Sequence, residues 1–263
     1  MKINNTPTYI IGSGNVAKHF IKAFVNAQIN IGGIWSRNRQ TANEISKTFC
    51  IPILKENQLF NLNGIFVLAV SDTAIETVAT KINPQATIIH TSGSTPLDIL
   101  TQTHENAGVF YPLQTFNKNR SITFNNVPFL IEYSNEHVKN ILVNWATKLQ
   151  TKHFYCLSSD RMKYHLAAVF ACNFANHMLS LAEEWIQLNH LDFDLLKPLI
   201  VETFEKLLEQ GAILSQTGPA IRNDQITIQK HLKTLEKNTD LKKMYSFVTE
   251  SIINFHTKKL KKQ

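Results

Sequence analysis

The stretch YIIGSGNVAKHF, Tyr9–Phe20, decides the fold class of this chain. An apolar run leads into Gly12, and Gly14 and Ala17 complete the spacing G-x-G-x-x-A. In a strand–turn–helix unit the first glycine makes the tight turn, the second lets the backbone approach a pyrophosphate, and the small third residue lets helix and strand pack closely. The helix N-terminus also offers free N–H groups to phosphates. The stretch therefore predicts a dinucleotide site, and the alternative is a glycine turn that binds nothing.

Short apolar runs alternate with amphipathic stretches as far as about residue 155. Most runs are unbroken, as expected for strands that are buried on both faces of a parallel sheet. Strand–helix alternation with short connections favours right-handed βαβ units. We therefore predict an α/β Rossmann domain with a doubly wound, mostly parallel sheet over residues 1–156. The runs are TYII, IGGIW, GIFVLAV, ATIIH, GVFYPL, PFLIEY and KHFYCL.

The strand signals stop at about Ser158, where one helical pattern of about 30 residues begins with Ser158 or Ser159 as its N-cap. Further helices are predicted within residues 192–210, from about 223 to 237, and from about 240 onward. We therefore predict an all-α domain over residues 157–263.

The composition is that of an ordinary globular protein, with 263 residues, 43% hydrophobic and 18% charged. The net charge of +7 favours anionic small molecules. A nucleic-acid surface would need basic residues clustered on one face with aromatic residues between them, and the sequence has no such stripe. We expect a small-molecule substrate and no nucleic-acid partner.

The cysteine usage and the absence of export signals predict a cytoplasmic protein. Three cysteines lie far apart and outside any CxxC motif, which predicts reduced thiols and no metal site. The N-terminal residues have no signal-peptide apolar region, and no stretch reaches the roughly 18 apolar residues of a membrane span. We expect no membrane partner.

The residues after the second strand indicate which nucleotide is bound. About twenty residues beyond the glycines, an NAD site would have a carboxylate that accepts from the ribose hydroxyls. This chain has Ser36, Arg37 and Arg39 instead. A hydroxyl and a guanidinium suit a 2′-phosphate, which arginine can bind through two parallel hydrogen bonds. The sequence thus predicts NADP(H) over NAD(H), and the alternative is a solvated polar loop.

Two more polar segments follow strands at the predicted ligand-binding edge of the sheet. SDTAI follows the run GIFVLAV, and TSGSTPL follows ATIIH; the alternative for the second segment is a well-capped helix N-terminus. The full set of predicted cofactor contacts is Gly12, Ser13, Gly14, Asn15, Val16, Ser36, Arg37, Arg39, Val70, Ser71, Thr91, Ser92 and Gly93.

The order of these motifs resembles a bacterial family of NADP oxidoreductases. The motifs are GxGNxA, a strand ending in SR, LAVSD, HTSGS, FYPLQTF, HLAAVFACNFANH and QTGPAIRND, and they extend from Tyr9 to about Leu235. The family has a Rossmann-like N-terminal domain and a helical C-terminal domain of unassigned function. It is distantly similar to pyrroline-5-carboxylate reductase and the β-hydroxyacid dehydrogenases. The resemblance implies a helical domain of the 6-phosphogluconate-dehydrogenase C-terminal type and a homodimer formed through the long helix, but it supplies no substrate.

The long helix contains an apparent polar stripe. At about 100° per residue, one third of its circumference holds His165, Asn173, Asn176, His177 and Ser180 among apolar residues. A helix that is apolar elsewhere is expected to be buried, with such a stripe facing a cavity, a ligand or a partner. The alternative is that each polar group is satisfied within a core.

The resemblance to β-hydroxyacid dehydrogenases does not extend to their catalytic lysine. That lysine stands four residues before an asparagine on the first long helix. With Asn173 as the asparagine the lysine position is Val169, and with Lys163 as the lysine the asparagine position is Ala167. We therefore nominate His165 as the acid, because an imidazole can donate a proton near neutral pH, and Asn173 as an orienting amide.

The predicted function is hydride transfer between NADP(H) and a small, anionic carbonyl, imine or hydroxy compound. Arg222 could clamp a substrate carboxylate, within its own subunit or across a dimer, and the alternative is an ion pair with Asp224 or a neighbouring residue, within the chain or between subunits. Because the lysine is missing, a non-catalytic NADP(H)-binding sensor or scaffold stays open. Electron transfer from reduced deazaflavin is a third interpretation, which no residue demands. The predicted substrate contacts are Gln114, Thr115, Asn176, Thr217 and Arg222.

Overall fold

The structure is a computed structural model that describes residues 6–117 and 120–260, with side chains as far as residue 258. The chain divides into two compact units, Met1–Phe174 and Ala175–Gln263. The first unit thus includes the beginning of the long helix, whereas the predicted domain boundary lies before that helix, between residues 156 and 157.

The first unit is built on one seven-stranded sheet with the order β2-β1-β3-β4-β5-β6-β7. Strand β6 runs antiparallel to β5, and every other neighbouring pair is parallel. This topology confirms the predicted doubly wound, mostly parallel Rossmann fold. The strands are β1 Thr8–Ile11, β2 Ile31–Trp35, β3 Ile65–Leu68, β4 Thr87–His90, β5 Ala107–Pro112, β6 Phe129–Tyr133 and β7 His153–Tyr155.

Helices cover both faces of the sheet, which explains the unbroken apolar runs. One core contains Phe20 and Phe24 of the first helix with Phe110 and Trp145, and it holds the edge-to-face contacts of Phe20 with Phe24 and Phe110. The other core lies on the opposite face and includes Phe66. The helices are α1 Asn15–Asn26, α2 Arg39–Phe49, α3 Asp72–Ala79, α4 Asp98–Thr101 and α5 Glu136–Lys148.

The long helix differs from the prediction in three ways. Its N-cap is Leu157, and Ser158 is the first helical residue, whose hydroxyl donates to Glu132 Oε2 over 2.6 Å. Helix α6, Ser158–Ala168, is followed by a π-helical segment, Val169–Phe174, before α7 begins at Ala175. Finally, only Arg161 is buried between residues 158 and 188, so the expectation of a buried helix is wrong for the single chain.

The π-helical segment also removes the basis of the predicted polar stripe. A π-helix bonds residue i to i+5 and so places an additional residue in the turn. The uniform rotation of about 100° per residue, which aligned His165 with the later polar residues, does not hold across Val169–Phe174.

The second unit consists of α7 Ala175–Leu188, α8 Lys197–Gln210, α9 Gln225–Thr234 and α10 Thr239–Leu260. Among its described residues only Ala220, Ile228 and Leu235 are buried, whereas many large apolar side chains are exposed. The unit therefore has almost no core of its own. None of the helices in the described ranges is both long and apolar enough to cross a membrane.

Candidate active site

A cleft of about 890 Å³ lies within the first unit where the parallel strands end. It is lined by the glycine turn before α1, the residues that follow β2, β3 and β4, one side of α3, the end of β5, and α6. Of the predicted cofactor contacts, all but Arg39 line it. The predicted residues that it brings together are Gly12, Ser13, Gly14, Asn15, Val16, Ser36, Arg37, Val70, Ser71, Thr91, Ser92, Gly93, Gln114 and His165.

The two glycines of the turn are required for different reasons. Gly12 has φ +123°, and a Cβ there would lie 2.1 Å from the carbonyl oxygen of Ala69, so the turn passes directly against the residue that follows β3. A Cβ at Gly14 would meet no atom within 4 Å, because this residue borders the open cleft at the N-terminus of α1. That open space and the free N–H groups of the helix fit a pyrophosphate.

The two arginines that follow β2 have different surroundings. The buried Ser36 hydroxyl lies 2.8 Å from the Ser13 hydroxyl and accepts from the N–H of Asn38, which ties the end of β2 to the glycine turn. Arg37 is exposed and lines the cleft. Arg39 instead donates through Nη1 to the Leu54 carbonyl over 3.3 Å, and the structure does not place it in the lining.

One side of α3 and the residues around it form a wall of the cleft that the sequence interpretation missed. Thr73, Thr77 and Lys81 line it at intervals of four residues, a helical spacing that was available in the sequence. Lys81 Nζ lies 2.5 Å from Glu56 Oε1 in an exposed pair. The Asp72 carboxylate accepts a hydrogen bond from the Ser94 hydroxyl.

The loop after β4 is organised by its own side chains. The Ser92 hydroxyl accepts from the N–H groups of Ser94 and Thr95, over 3.1 and 2.9 Å. The Ser92 N–H donates to Nδ1 of His90, which is fully buried. Burial, and secondarily the nearby Arg161 guanidinium, lowers the pKa of His90 to about 3, so this imidazole is neutral at physiological pH.

His165 and Tyr111 meet in the lining of the cleft. The Tyr111 hydroxyl lies 3.1 Å from His165 Nδ1, and both residues line the cleft. Gly93 fits against this pair: a Cβ on it would lie 2.7 Å from His165 Nδ1 and 2.8 Å from Tyr111 Cζ. The three residues come from three distant segments, so the fold assembles this part of the site.

A buried ion pair, also missed in the sequence, fixes the start of α6. Arg161 is fully buried, with Nη1 2.5 Å from Glu132 Oε2 of β6 and Nη2 donating to the Thr95 carbonyl over 2.6 Å. Ser158 donates through its N–H and hydroxyl to the same carboxylate. Because His165 follows Arg161 by four residues, one helical turn on the same side, this cluster sets where His165 stands.

The remaining predicted residues do not line this cleft. Thr115 donates through its N–H to the Gln114 side chain over 2.8 Å, and Asn173 is exposed in the π-helical segment. The other three belong to the second unit, where Asn176 and Arg222 are exposed and Thr217 lines a separate, mainly apolar pocket of about 480 Å³.

Asp224 has a local role in the second unit. It caps α9 by accepting from the Thr227 N–H and hydroxyl over 3.1 and 2.7 Å. These hydrogen bonds from Thr227, more than the charge of Arg222, lower the pKa of its carboxyl. Within the described residues no ion pair joins it to Arg222.

A doubly wound sheet with a glycine turn at the edge of a deep cleft defines the class of Rossmann-type nucleotide-binding proteins. Residues 8–92 match the family described as NADP oxidoreductase coenzyme F420-dependent, and residues 127–252 match a domain of unknown function, DUF2520. No curated protein matches the chain at a significant level.

Three solved structures are similar over nearly the whole chain. The proposed NADP oxidoreductase BF3122 from Bacteroides fragilis is 33% identical, with 96% of this chain and 100% of that chain covered and a TM-score of 0.87. Protein TM1727 from Thermotoga maritima is 22% identical, with coverage of 96% and 99% and a TM-score of 0.67. The 1-pyrroline-5-carboxylate reductase from Streptococcus pyogenes is 13% identical, with coverage of 95% and 98% and a TM-score of 0.60. The last two similarities show the fold alone.

The chain belongs to the family of NADP oxidoreductases represented by BF3122, which confirms the resemblance read from the motifs. Membership supports an NADP-dependent oxidoreductase in general and confirms the expectation of NADP as the cofactor. The coenzyme F420 in the family description stays a hypothesis for this chain.

Proposed function

We propose that this protein transfers a hydride between NADP(H) and a small carbonyl, imine or hydroxy compound, with His165 as the proton donor or acceptor. One observation carries the proposal: His165 lines the same cleft as the glycine turn. An imidazole, the type of side chain that most often serves as a general acid or base in enzymes, therefore stands in the space where a bound dinucleotide would be held.

The residues of the cleft fit NADP(H). Gly14 and the N-terminus of α1 leave room and N–H donors for the pyrophosphate, and the exposed guanidinium of Arg37 lines the cleft and suits the 2′-phosphate. The buried loop of Thr91, Ser92 and Gly93 forms the wall on the side of His165. When bound, the cofactor supplies or accepts the hydride, and the protein holds the reactants and moves the proton.

We propose an anionic substrate bound by Gln114 and by Arg222. Gln114 lines the cleft with its side chain exposed, so its amide is accessible to a ligand. Arg222 is also exposed, and no carboxylate of the described residues forms an ion pair with it, which leaves its guanidinium available for an acid group. Thr217 and Asn176 are exposed polar groups of the same unit, and we assign them the same role.

We further propose a homodimer formed through the second unit. Leu195, Leu208 and Leu214 of this unit are each about 80% exposed, and large apolar surfaces of this kind mark contact sites. Light scattering after size exclusion should give twice the chain mass of 29.9 kDa. Leu208→Glu should shift the mass toward one chain, whereas a monomer in the unchanged protein would overturn the proposal.

The cofactor site is tested by titration with NADPH and NADH, followed by nicotinamide fluorescence. NADPH should bind more tightly, and Arg37→Ala should weaken NADPH roughly 10- to 100-fold, because a charge-assisted hydrogen bond contributes about 1.5–3 kcal/mol. Arg39→Ala is the matched control, since its guanidinium bonds to a backbone carbonyl outside the cleft. Preference for NADH, or equal losses in both variants, would contradict the assignment.

The catalytic role is tested by a screen of carbonyl and imine compounds with NADPH. His165→Ala should abolish turnover and leave NADPH affinity unchanged, while His137→Ala, an exposed histidine on α5, should change neither. Full turnover in the His165 variant would refute the assignment. NADPH binding without turnover on any compound would favour the non-catalytic sensor or scaffold, which the missing lysine of the relatives also supports.

A further inference from the structure

Tyr111, which is nearly buried, contacts His165 in the lining of the cleft. Its hydroxyl is 3.1 Å from His165 Nδ1, and the two rings are 6.0 Å apart at an angle of 76°. We propose that Tyr111 is a positioning residue that binds Nδ1 of His165 and thereby keeps a hydrogen on Nε2, the nitrogen available to the cleft. This inference rests on the proposed role of His165 and names the atom through which it acts.

The pair is held from a third direction by the chain itself. The backbone of Gly93 lies so close that an added Cβ would stand 2.7 Å from His165 Nδ1 and 2.8 Å from Tyr111 Cζ, which is closer than Cβ atoms approach non-bonded atoms in real structures. Tyr111 is only 9% exposed, and Arg161 anchors the preceding turn of α6. The histidine ring is therefore confined on the side of Nδ1, which fixes its orientation.

The hydrogen-bonding properties of the two groups determine where the hydrogens lie. A neutral imidazole carries one N–H, and a phenol both donates and accepts. Burial raises the pKa of Tyr111, so the phenol retains its proton and can donate it to Nδ1, which leaves the imidazole hydrogen on Nε2. If the imidazole is protonated, Nδ1–H donates to the phenol oxygen instead. Nε2 carries a hydrogen in both states.

Nε2 is the atom that can reach a ligand. No described residue forms a hydrogen bond with it, and it is not among the buried polar atoms that lack a partner. When a carbonyl or imine is reduced, the Nε2–H bond breaks and an O–H or N–H bond forms on the substrate. The donor in this step is the protonated imidazole, which is left transiently neutral with its hydrogen on Nδ1 and directed at Tyr111; the neutral form with its hydrogen on Nε2 is the resting form, in which the phenol donates to Nδ1. Reprotonation of Nε2 from water restores the starting state.

The test is nitrogen NMR of protein labelled with ¹⁵N-histidine, which reports for each ring which nitrogen carries the hydrogen. The chain has ten histidines, so His165→Asn is used to identify the His165 signals by their loss. In the unchanged protein, with the imidazole of His165 in its neutral form, we expect the hydrogen on Nε2 alone. Tyr111→Phe removes only the phenol oxygen, and we expect loss of this single form and a mixture of both tautomers.

Tyr164→Phe is the matched control, because it makes the same change on an exposed ring next to His165. It should leave the spectrum unchanged. A hydrogen on Nδ1 in the unchanged protein would overturn the proposal even if Tyr111→Phe does not fold. An unaltered spectrum in Tyr111→Phe would also overturn the proposal. The same holds if Tyr164→Phe changes the His165 signals as much as Tyr111→Phe does. The NMR readout needs neither cofactor nor substrate, so failure of NADPH binding would refute the proposed function separately.

Discussion

The buried ion pair between Arg161 and Glu132 permits a quantitative stability prediction. Arg161 is fully buried and donates to the Glu132 carboxylate, to the Thr95 carbonyl and to the Ser158 hydroxyl. Arg161→Met removes these bonds and leaves a buried carboxylate with Ser158 as its donor. Removing one partner of a buried pair costs about 3–5 kcal/mol, and we expect a loss of this size in the free energy of unfolding of the first unit.

The assay is urea unfolding followed by tryptophan fluorescence in a Trp185→Phe background. Trp35 and Trp145, both buried in the first unit, then report that unit alone. Linear extrapolation gives the free energy of unfolding of each variant. Lys163→Met is the matched control on the same helix, because its pair with Asp160 is exposed to solvent and is expected to contribute little to stability.

The double variant Arg161→Met/Glu132→Leu separates charge from packing. If an uncompensated charge causes the loss, removing both charges should restore part of the stability that Arg161→Met loses. A loss in Arg161→Met no larger than that in Lys163→Met would refute the reasoning. The stability losses of Arg161→Met and Glu132→Leu, measured singly, can be added and compared with the loss in the double variant. If the double variant loses more than this sum, packing around the guanidinium matters more than its charge.

Two further predictions concern the glycine turn and the pH dependence of stability. Gly12→Ala should lower the free energy of unfolding by more than about 3 kcal/mol, because it combines a positive φ with a contact of 2.1 Å to a backbone oxygen. Gly14→Ala, measured in the same urea unfolding assay, should leave the stability nearly unchanged, but it should weaken NADPH binding. Folding lowers the pKa of His90 from 6.5 to about 3. Between these pH values the unfolded chain binds a proton at this histidine and the folded chain does not. The free energy of unfolding should therefore decrease as the pH falls from about 6.5 to about 3. At 1.36 kcal/mol per pH unit, the shift of the His90 pKa from 6.5 to about 3 contributes roughly 5 kcal/mol. Acid titration of unfolding should have a shallower slope in His90→Asn than in the unchanged protein, and identical slopes would contradict the assignment.

The parts of the molecule that follow from local chemistry were predictable from the sequence. The unbroken run IFVL of β3 reflects burial on both faces of the sheet, and Gly12 reflects a backbone turn. In each case a few consecutive residues are enough to predict the local structure. The prediction that the cofactor is NADP and not NAD followed in the same way from Ser36 and Arg37. These features identified the fold, the cofactor and most of the cleft.

The features that escaped the sequence depend on contacts between distant residues. Tyr111 and His165 are 54 residues apart, and Glu132 and Arg161 are 29 apart, so no local pattern reveals either pair. Arg39 was expected in the cleft because its type suits a phosphate, but the Leu54 carbonyl turns its guanidinium away. The predicted polar stripe rested on a uniform helical rotation, and no sequence signal indicated the π-helical segment at Val169–Phe174, which interrupts that rotation.

The contact of Gly93 with Tyr111 and His165 has an evolutionary consequence. The three positions occupy one volume, so the substitutions acceptable at one depend on the residues at the other two. An alanine at position 93 should be accepted only where position 111 or 165 carries a smaller side chain, which would also remove the paired rings. We therefore expect the three positions to change together during descent, and a lineage that loses the glycine should also lose the tyrosine or the histidine.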